Sequence, residues 1–185
     1  MDNFTRRKKD ILSKKDKSSK GGCDERIDGL CKKINNLDNY YTTSSCSGRI
    51  AFVKDCEKKR KGVLIRAYHD KISLKELKKD LGKIKNKRTI KFKQEPCILH
   101  IACRSLKDAQ DLLDKAKLAG WKKSGIIGSN KRFVCELNGT DKLEFPIIAD
   151  GKLLVDDDFL KLIVKKSNEN LKKSWNKIER LRRLV

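Results

Sequence analysis

The stretch YYTTSSCSGRIAFV, residues 40–53, is the segment on which the rest of the chain is organised. Its centre, residues 42–49, holds five hydroxyls, a thiol, a glycine and an arginine between two apolar flanks. Such flanks favour β-strands, which would fix both ends of the polar segment and present it at one place. Backbone N–H groups, serine hydroxyls and an arginine fork suit a phosphate or a carboxylate. The segment therefore predicts either a polar hairpin turn or an anion-binding turn.

The 185-residue chain is strongly basic, with 47 Lys and Arg against 25 Asp and Glu and a formal charge of +22. A field of this sign attracts polyanions and speeds their capture, so nucleic acid is the first partner to expect. No run of about eighteen apolar residues occurs, which predicts a protein without a membrane span. Seven scattered cysteines without a C-x-x-C pair fit a reducing compartment, so we expect a cytoplasmic location.

Hydrophobic spacing and capping signals predict an α+β fold in a single domain over residues 1–185, with one mixed sheet and packing helices. Basic helices are expected at both ends, in an N-terminal arm of residues 1–20 and a long C-terminal helix of residues 157–185. The strand at 62–69 is predicted to be central and the strand within 83–93 to be an edge. Further strands are predicted at 40–45, 50–53, 97–103, 121–127, 132–137 and 143–148, and further helices at 24–35, 73–81 and 105–119.

Three basic segments stand out: the N-terminal arm, residues 83–93 and the C-terminal helix. We expect them to form one cradle for a folded polyanion, and the alternative is three separate solvated surfaces. The residues expected to bind RNA are Lys83, Lys85, Lys87, Arg88, Lys91, Arg180, Arg182 and Arg183.

The glycine-rich loops that usually bind nucleotides are missing from the sequence. Neither G-x-G-x-x-G nor G-x-x-x-x-G-K-[ST] occurs, and no two glycines stand two residues apart. A Rossmann-type dinucleotide loop and a P-loop are thereby excluded.

The segment Cys97-x-x-His100-x-x-Cys103 has the residue types of a metal site. In a strand, side chains alternate, so Cys97 and Cys103 share one face while His100 points to the other together with Arg104. Three side chains on two faces of a strand cannot coordinate one ion, so no metal is predicted. Structural zinc is the disfavoured alternative.

The two histidines, His69 and His100, stand at or near the ends of predicted strands. Each is a candidate acid or base near neutral pH, and the alternative for each is an imidazole that holds a loop. Cys46 lies close in sequence to Arg49, which favours either an activated nucleophile or an inert thiol in a tight turn.

Several motifs, in the same order over nearly the whole chain, resemble the wybutosine-synthesizing protein 3 family, including its archaeal members. They are residues 41–50 (YTTSSCSGRI), the strand ending at His69, and residues 98–104 (ILHIACR), 120–126 (GWKKSGI), 144–146 (EFP) and 151–153 (GKL). Two segments depart from the family pattern. Val63 or Leu64 stands where a tryptophan is usual, and the Lys-Phe-Glu-Pro segment is stretched to KFKQEP at 91–96 and followed by Cys97 instead of Phe.

The resemblance implies an S-adenosylmethionine-dependent tRNA methyltransferase. Its acceptor would be tRNA-Phe, at the N4 nitrogen of the wyosine-type guanosine beside the anticodon, with neither a membrane nor an obligate protein partner inferred. His69 or His100 would take the proton, and Tyr40, Tyr41 or Tyr68 would stack on the extruded base. The residues expected to bind substrate or donor are Ser44, Ser45, Cys46, Ser47, Gly48, Arg49, Arg104, Ser124 and Gly125.

Two functions of other classes remain open at this point. A non-catalytic RNA-binding module would use the serine-rich turn to clamp phosphate, and the lack of a standard donor-binding loop favours it. A cysteine hydrolase would use Cys46 with a histidine.

Overall fold

The computed structural model describes residues 2–14, 24–56, 62–85, 87–130 and 132–185. The sequence also predicts a break at residues 18–22 and a lysine-rich turn at residues 54–61; the break and most of the turn lie outside these ranges. The described helices are α1 (Asn3–Leu12), α2 (Glu25–Asn36), α3 (Leu74–Leu81), α4 (Leu106–Leu118) and α5 (Asp157–Leu184). The described strands are β1 (Tyr40–Cys46), β2 (Arg49–Lys54), β3 (Leu64–Tyr68), β4 (Ile90–Glu95), β5 (Ile98–Cys103), β6 (Gly125–Gly128), β7 (Phe133–Asn138), β8 (Leu143–Ala149) and β9 (Lys152–Leu153).

The strands form two sheets, in the orders β1-β5-β7-β6 and β3-β2-β4-β8-β9, and the described pairings are all antiparallel. The α+β class is confirmed, and the fold is not of the Rossmann type. The expected single mixed sheet is wrong, because β1 and β2 do not pair and each joins a different sheet. The chain changes sheets at Gly48, whose φ of +104° lies in the left-handed region that glycine adopts at low cost. The predicted hairpin at the serine-rich turn is therefore also wrong.

The chain divides into two compact units. Unit 1 contains Met1–Ser47, Cys97–Thr140 and Ser174–Val185, and unit 2 contains Gly48–Pro96 and Asp141–Lys173. Each unit is built around one of the two sheets. The single-domain organisation over residues 1–185 stays a prediction.

In unit 1, α2, α4 and the end of α5 cover one face of the sheet and enclose its core. The largest side chain there is Trp121, which is fully buried and whose Nε1–H donates to the Lys177 carbonyl oxygen at 3.1 Å. Just before it, Gly120 ends α4 at a φ of +92°, as the sequence predicts. The core residues include Ile27, Leu30, Ile34, Cys97, Leu99, Ile101, Cys103, Leu112, Cys135, Leu137, Ile178 and Leu181.

In unit 2, a row of phenylalanines crosses the sheet: Phe52 lies opposite Phe92, and Phe92 lies opposite Phe145. The ring centroids are 6.0 Å and 5.2 Å apart, and Phe159 of α5 adds an edge-to-face contact at 5.4 Å. Such aromatic pairs stabilise the sheet beyond their buried area. This row therefore couples β2, β4 and β8 to the first part of α5.

The positions of two strands in the unit 2 sheet differ from the prediction. β3 lies at an edge and exposes 41% of Leu64, whereas β4 lies in the middle. A basic strand can be central because Lys91 pairs with Asp55 and Lys93 pairs with Glu144, both at 2.8 Å, while the stems of these lysines cover the sheet.

Candidate active site

A row of four residues crosses the unit 1 sheet on the face opposite the core. Ser44 lies opposite His100, His100 opposite Glu136, and Glu136 opposite Gly125. Leu99 and Ile101, the neighbours of His100, point into the core, so strand alternation turns His100 the other way. This row, called the His100 row below, brings together three residues that the sequence predicts for the site: Ser44, His100 and Gly125.

The imidazole of His100 pairs with the Glu136 carboxylate, with Nε2 to Oε2 at 3.0 Å. Their side chains are 22% and 32% exposed, so the pair is partly shielded from water but open to a ligand. An ionised carboxylate only accepts hydrogen bonds, so beside an ionised Glu136 the donor is Nε2, and in a neutral imidazole Nδ1 then carries the lone pair. The pairing therefore favours the tautomer that a proton acceptor needs.

Glu136 is the site residue that the sequence analysis missed. Its signal in the sequence is weak, because it is one carboxylate within the strand FVCELN. Only the register of β5 against β7 places it opposite His100.

Ser44 is exposed and follows a bulge in β1 at Thr43. The extra residue at the bulge turns Ser44 onto the face of His100, while Ser45 lies opposite the core residue Leu99. Cys46 is half-buried and lies opposite Ile98, two residues along from the His100 row. Ser44 and Ser45 therefore lie on opposite faces of the unit 1 sheet.

Ser47 is fully buried, and its hydroxyl donates to Asp24 Oδ2 at 2.5 Å while its backbone N–H lies 3.3 Å from the same oxygen. Asp24 occupies the N-cap position of α2, as expected, yet its side chain makes no capping bond and instead accepts these two. Ser47 therefore fixes the end of β1 to the start of α2. Its predicted part in ligand binding stays a prediction.

The two other polar residues predicted for unit 1 also have structural partners. Arg104 donates to Asp2 at 2.7 Å and to Thr5 at 3.1 Å, and its guanidinium lies 4.7 Å from the ring centroid of Phe4. These contacts hold α1 against the sheet. Ser124 donates to the Trp121 carbonyl at 2.7 Å and accepts from the Asn138 N–H, which shapes the loop before Gly125.

Arg49 and His69 belong to unit 2. Arg49 lies opposite Glu95, and its Nε donates to Glu95 Oε2 at 2.6 Å, so part of its charge is neutralised within the sheet. His69 is half-buried and directly follows β3. The two candidate bases thus lie in different units, and the roles assigned to Arg49 and His69 stay predictions.

Of the three tyrosines considered for stacking on a base, two are buried. Tyr40 packs in the unit 1 core, and Tyr41 is fully buried beside Phe4, with ring centroids 5.1 Å apart. The prediction that Tyr40 or Tyr41 stacks on the extruded base is therefore wrong. Tyr68 is half-buried, and its hydroxyl donates to Asp80 at 2.5 Å.

The two cysteines around His100 are both fully buried on the core side of the sheet. Cys103 Sγ lies 3.8 Å from Cys135 Sγ, and burial raises the pKa of Cys97 to about 12. This confirms that Cys97 and Cys103 face away from His100.

The residues expected to bind RNA belong to both units, and all of them except the half-buried Lys91 are exposed. Lys83 pairs with Asp80 at 3.1 Å and Lys91 with Asp55 at 2.8 Å. Lys85, Lys87, Arg88, Arg180, Arg182 and Arg183 are exposed. Among the described helices, none has the length and apolar character of a membrane span.

Residues 6–185 match the family model described as methyltransferase TYW3. A protein of Pyrococcus furiosus named tRNA(Phe) 7-((3-amino-3-carboxypropyl)-4-demethylwyosine(37)-N(4))-methyltransferase 1 is 36% identical over 97% of this chain and 93% of its own length. The tRNA wybutosine-synthesizing protein 3 homolog of Danio rerio is 34% identical over 97% of this chain and 73% of its own length.

Two solved structures have the same fold. The PH1069 protein of Pyrococcus horikoshii superimposes with a TM-score of 0.87 at 32% identity, covering 98% of this chain and 93% of that one. A hypothetical protein of Aeropyrum pernix gives 0.74 at 26% identity, over 88% and 99% of the two chains. With these matches over nearly its whole length, the chain belongs to the methyltransferase TYW3 family.

Proposed function

We propose that this chain transfers a methyl group from S-adenosylmethionine to the N4 nitrogen of the wyosine-type nucleoside 37 of tRNA-Phe. The relatives' names supply the acceptor and the atom methylated. The observation in this chain that carries the proposal is the His100 row, where an imidazole paired with a carboxylate faces outward beside Ser44. A cytoplasmic location and an S-adenosylmethionine donor belong to the same proposal.

The His100 row fits such ligands chemically. The donor and the aminocarboxypropyl group of the acceptor each carry a carboxylate and an ammonium group. The exposed Ser44 hydroxyl can donate to a carboxylate, and Glu136 can accept from an ammonium group. At Gly125 a Cβ would meet no atom of the described residues within 4 Å, so the fourth position of the row leaves room for a ligand.

The bound donor supplies an electrophilic methyl group, and the protein has to align it with the acceptor nitrogen and remove that nitrogen's proton. His100 Nδ1 would accept the proton as the nitrogen–methyl bond forms and the donor's sulfur–methyl bond breaks, with the donor's sulfur leaving as a neutral thioether. Glu136 keeps Nε2 protonated and stabilises the imidazolium that results. Ser44, on the neighbouring strand, orients the ligand by a hydrogen bond.

Two measurements on the purified protein test the proposal: calorimetry with S-adenosylmethionine, and methyl transfer to tRNA-Phe that carries the demethylwyosine intermediate. We expect donor binding, transfer by the wild type, and a loss on the order of a hundredfold or more in kcat for His100→Gln. Lack of donor binding together with tight tRNA binding would instead identify an RNA-binding module.

Glu136→Gln separates a proton acceptor from a merely structural histidine. This substitution keeps the shape of the side chain but removes the charge that stabilises the imidazolium. We expect kcat to fall while KM for tRNA changes little. Equal kcat for the wild type and Glu136→Gln would refute the role given to the pair. Cys46→Ala serves as a control, because methyl transfer by this variant would show that the thiol takes no part in the reaction.

A further inference from the structure

A groove in unit 2 lies between the edge strand β3 and the segment after α3. It is lined by Lys54, Gly62, Leu64, Ile65, Arg66, Asp80, Lys83, Ile84 and Lys85, and its volume is about 430 Å³. Four of these side chains are cationic and one is a carboxylate. This basic groove therefore has three more positive than negative side chains around an apolar floor.

Asp80 organises two of the four cations. It accepts from the Tyr68 hydroxyl at 2.5 Å and pairs with Arg66 at 3.2 Å and Lys83 at 3.1 Å. The Tyr68 hydrogen bond, followed by Lys83 and Arg66, holds the pKa of Asp80 below its usual range, so the carboxylate stays charged. Arg66 and Lys83 are thereby positioned along the groove by one carboxylate.

Lys54 and Lys85 have no such partner among the residues that the structure describes. No carboxylate of the described residues lies within ion-pair distance of either ammonium group. At Gly62, with a φ of +81°, a Cβ would meet nothing within 4 Å among the described residues. Cations without a carboxylate partner among the described residues, along a groove with an apolar floor, suit a chain of phosphates more than a single enclosed anion.

We propose that the basic groove binds the phosphodiester backbone of the RNA substrate, with Lys54 and Lys85 as direct phosphate ligands and Asp80 as the residue that positions Arg66 and Lys83. The inference rests on the proposed function, because it takes tRNA as the partner. It adds Lys54 and Arg66, which the sequence does not single out, to the RNA-binding residues.

The test compares two double variants with equal charge change. Lys54→Ala/Lys85→Ala removes the two unpaired groove cations without leaving Asp80 unpaired. The control, Lys75→Ala/Lys165→Ala, removes two exposed lysines of unit 2 that do not line the groove. Equal melting temperatures of the two variants would establish that both are folded.

The readout is tRNA affinity as a function of salt concentration. Each lost phosphate contact lowers the slope of log K against log salt by about one, so we expect the groove variant to lose about two and the control to match the wild type. Weaker binding of the groove variant at low salt should accompany this change. Identical slopes for the two variants would overturn the inference.

Methyl transfer by the wild type distinguishes failure of the groove from failure of the function. If the wild type methylates tRNA and the two variants show identical salt slopes, the groove is not an RNA-binding site and the proposed function stands. If the wild type neither binds nor methylates tRNA, both proposals fall.

Discussion

Ser44 and Ser47 belong to one motif but perform different tasks. Ser47→Ala removes the hydroxyl donor to Asp24, which is only 7% exposed, so we expect the free energy of unfolding to fall by about 1.5–3 kcal/mol. Ser44→Ala, at an exposed position, should change it by no more than about 0.5 kcal/mol. Urea denaturation of both variants checks this. Equal losses of stability would contradict the separation of roles.

Tyr68 and Asp80 provide a second residue-scale prediction. Because the Tyr68 hydrogen bond is the largest cause of the lowered Asp80 pKa, Tyr68→Phe should raise that pKa towards its ordinary value and lower stability by about 1.5 kcal/mol. The stabilisation by a carboxylate with a lowered pKa is present above its unfolded pKa and is lost as the pH falls through the folded one.

Carboxyl NMR titration of the wild type and Tyr68→Phe measures this shift. Glu144 is the internal control, because its lowered pKa is due first to Lys93 and should not change. An unshifted Asp80 in Tyr68→Phe would contradict the assigned cause.

The outward orientation of His100 could be predicted, because alternation within one strand needs no knowledge of neighbours. The pairing with Glu136 could not, because it depends on which strand lies beside β5 and in which register. Likewise, the sequence does not distinguish the buried Ser47 from the exposed Ser44. That distinction follows from Asp24, which lies 23 residues earlier in the chain.

At the scale of elements, α1 is held by one edge. None of its residues is buried, and its attachment includes Phe4 against Tyr41, the contacts of Arg104 with Asp2, Thr5 and Phe4, and a Lys8 hydrogen bond to the Leu37 carbonyl oxygen. The Thr5 backbone N–H, supported by Arg104, lowers the pKa of Asp2 from 3.8 to about 2. The stability that this lowered pKa contributes is fully present above the pKa of Asp2 in the unfolded chain. It is lost as the pH falls through the pKa of Asp2 in the folded protein.

We therefore expect the attachment of α1 to weaken as the pH falls from about 4 to about 2. Loss of the NMR contact between the Phe4 and Tyr41 rings would report the event. In Asp2→Asn the cap is retained but the ion pair is absent, so this acid dependence should disappear. The same acid window in both proteins would show that another group controls the helix.

Elements were easier to predict than their arrangement. The capping boxes at Ser73 and Ser105 are local signals, and both are present. The two lysines of the central strand β4 pair with Asp55 and Glu144, and Asp55 belongs to the segment after β2, which no local pattern connects to β4. The sheet order therefore had to come from the structure.

At the scale of the whole molecule, the charge of +22 predicts polyanion binding without saying where. The described basic residues belong to both units, and one shared cradle stays a prediction. Deleting residues 1–20 should flatten the salt dependence of tRNA affinity if the N-terminal arm contributes phosphate contacts. An unchanged slope would remove the arm from the RNA-binding surface.

The central claim is methyl transfer with His100 as the proton acceptor. The most direct measurement is mass spectrometry of nucleoside 37 after tRNA-Phe carrying the demethylwyosine intermediate is incubated with S-adenosylmethionine and either wild type or His100→Gln. We predict a gain of one methyl group with the wild type and, in the same time, almost none with His100→Gln at unchanged donor affinity. An unmethylated nucleoside with the wild type, or equal methylation by both proteins, would contradict the account.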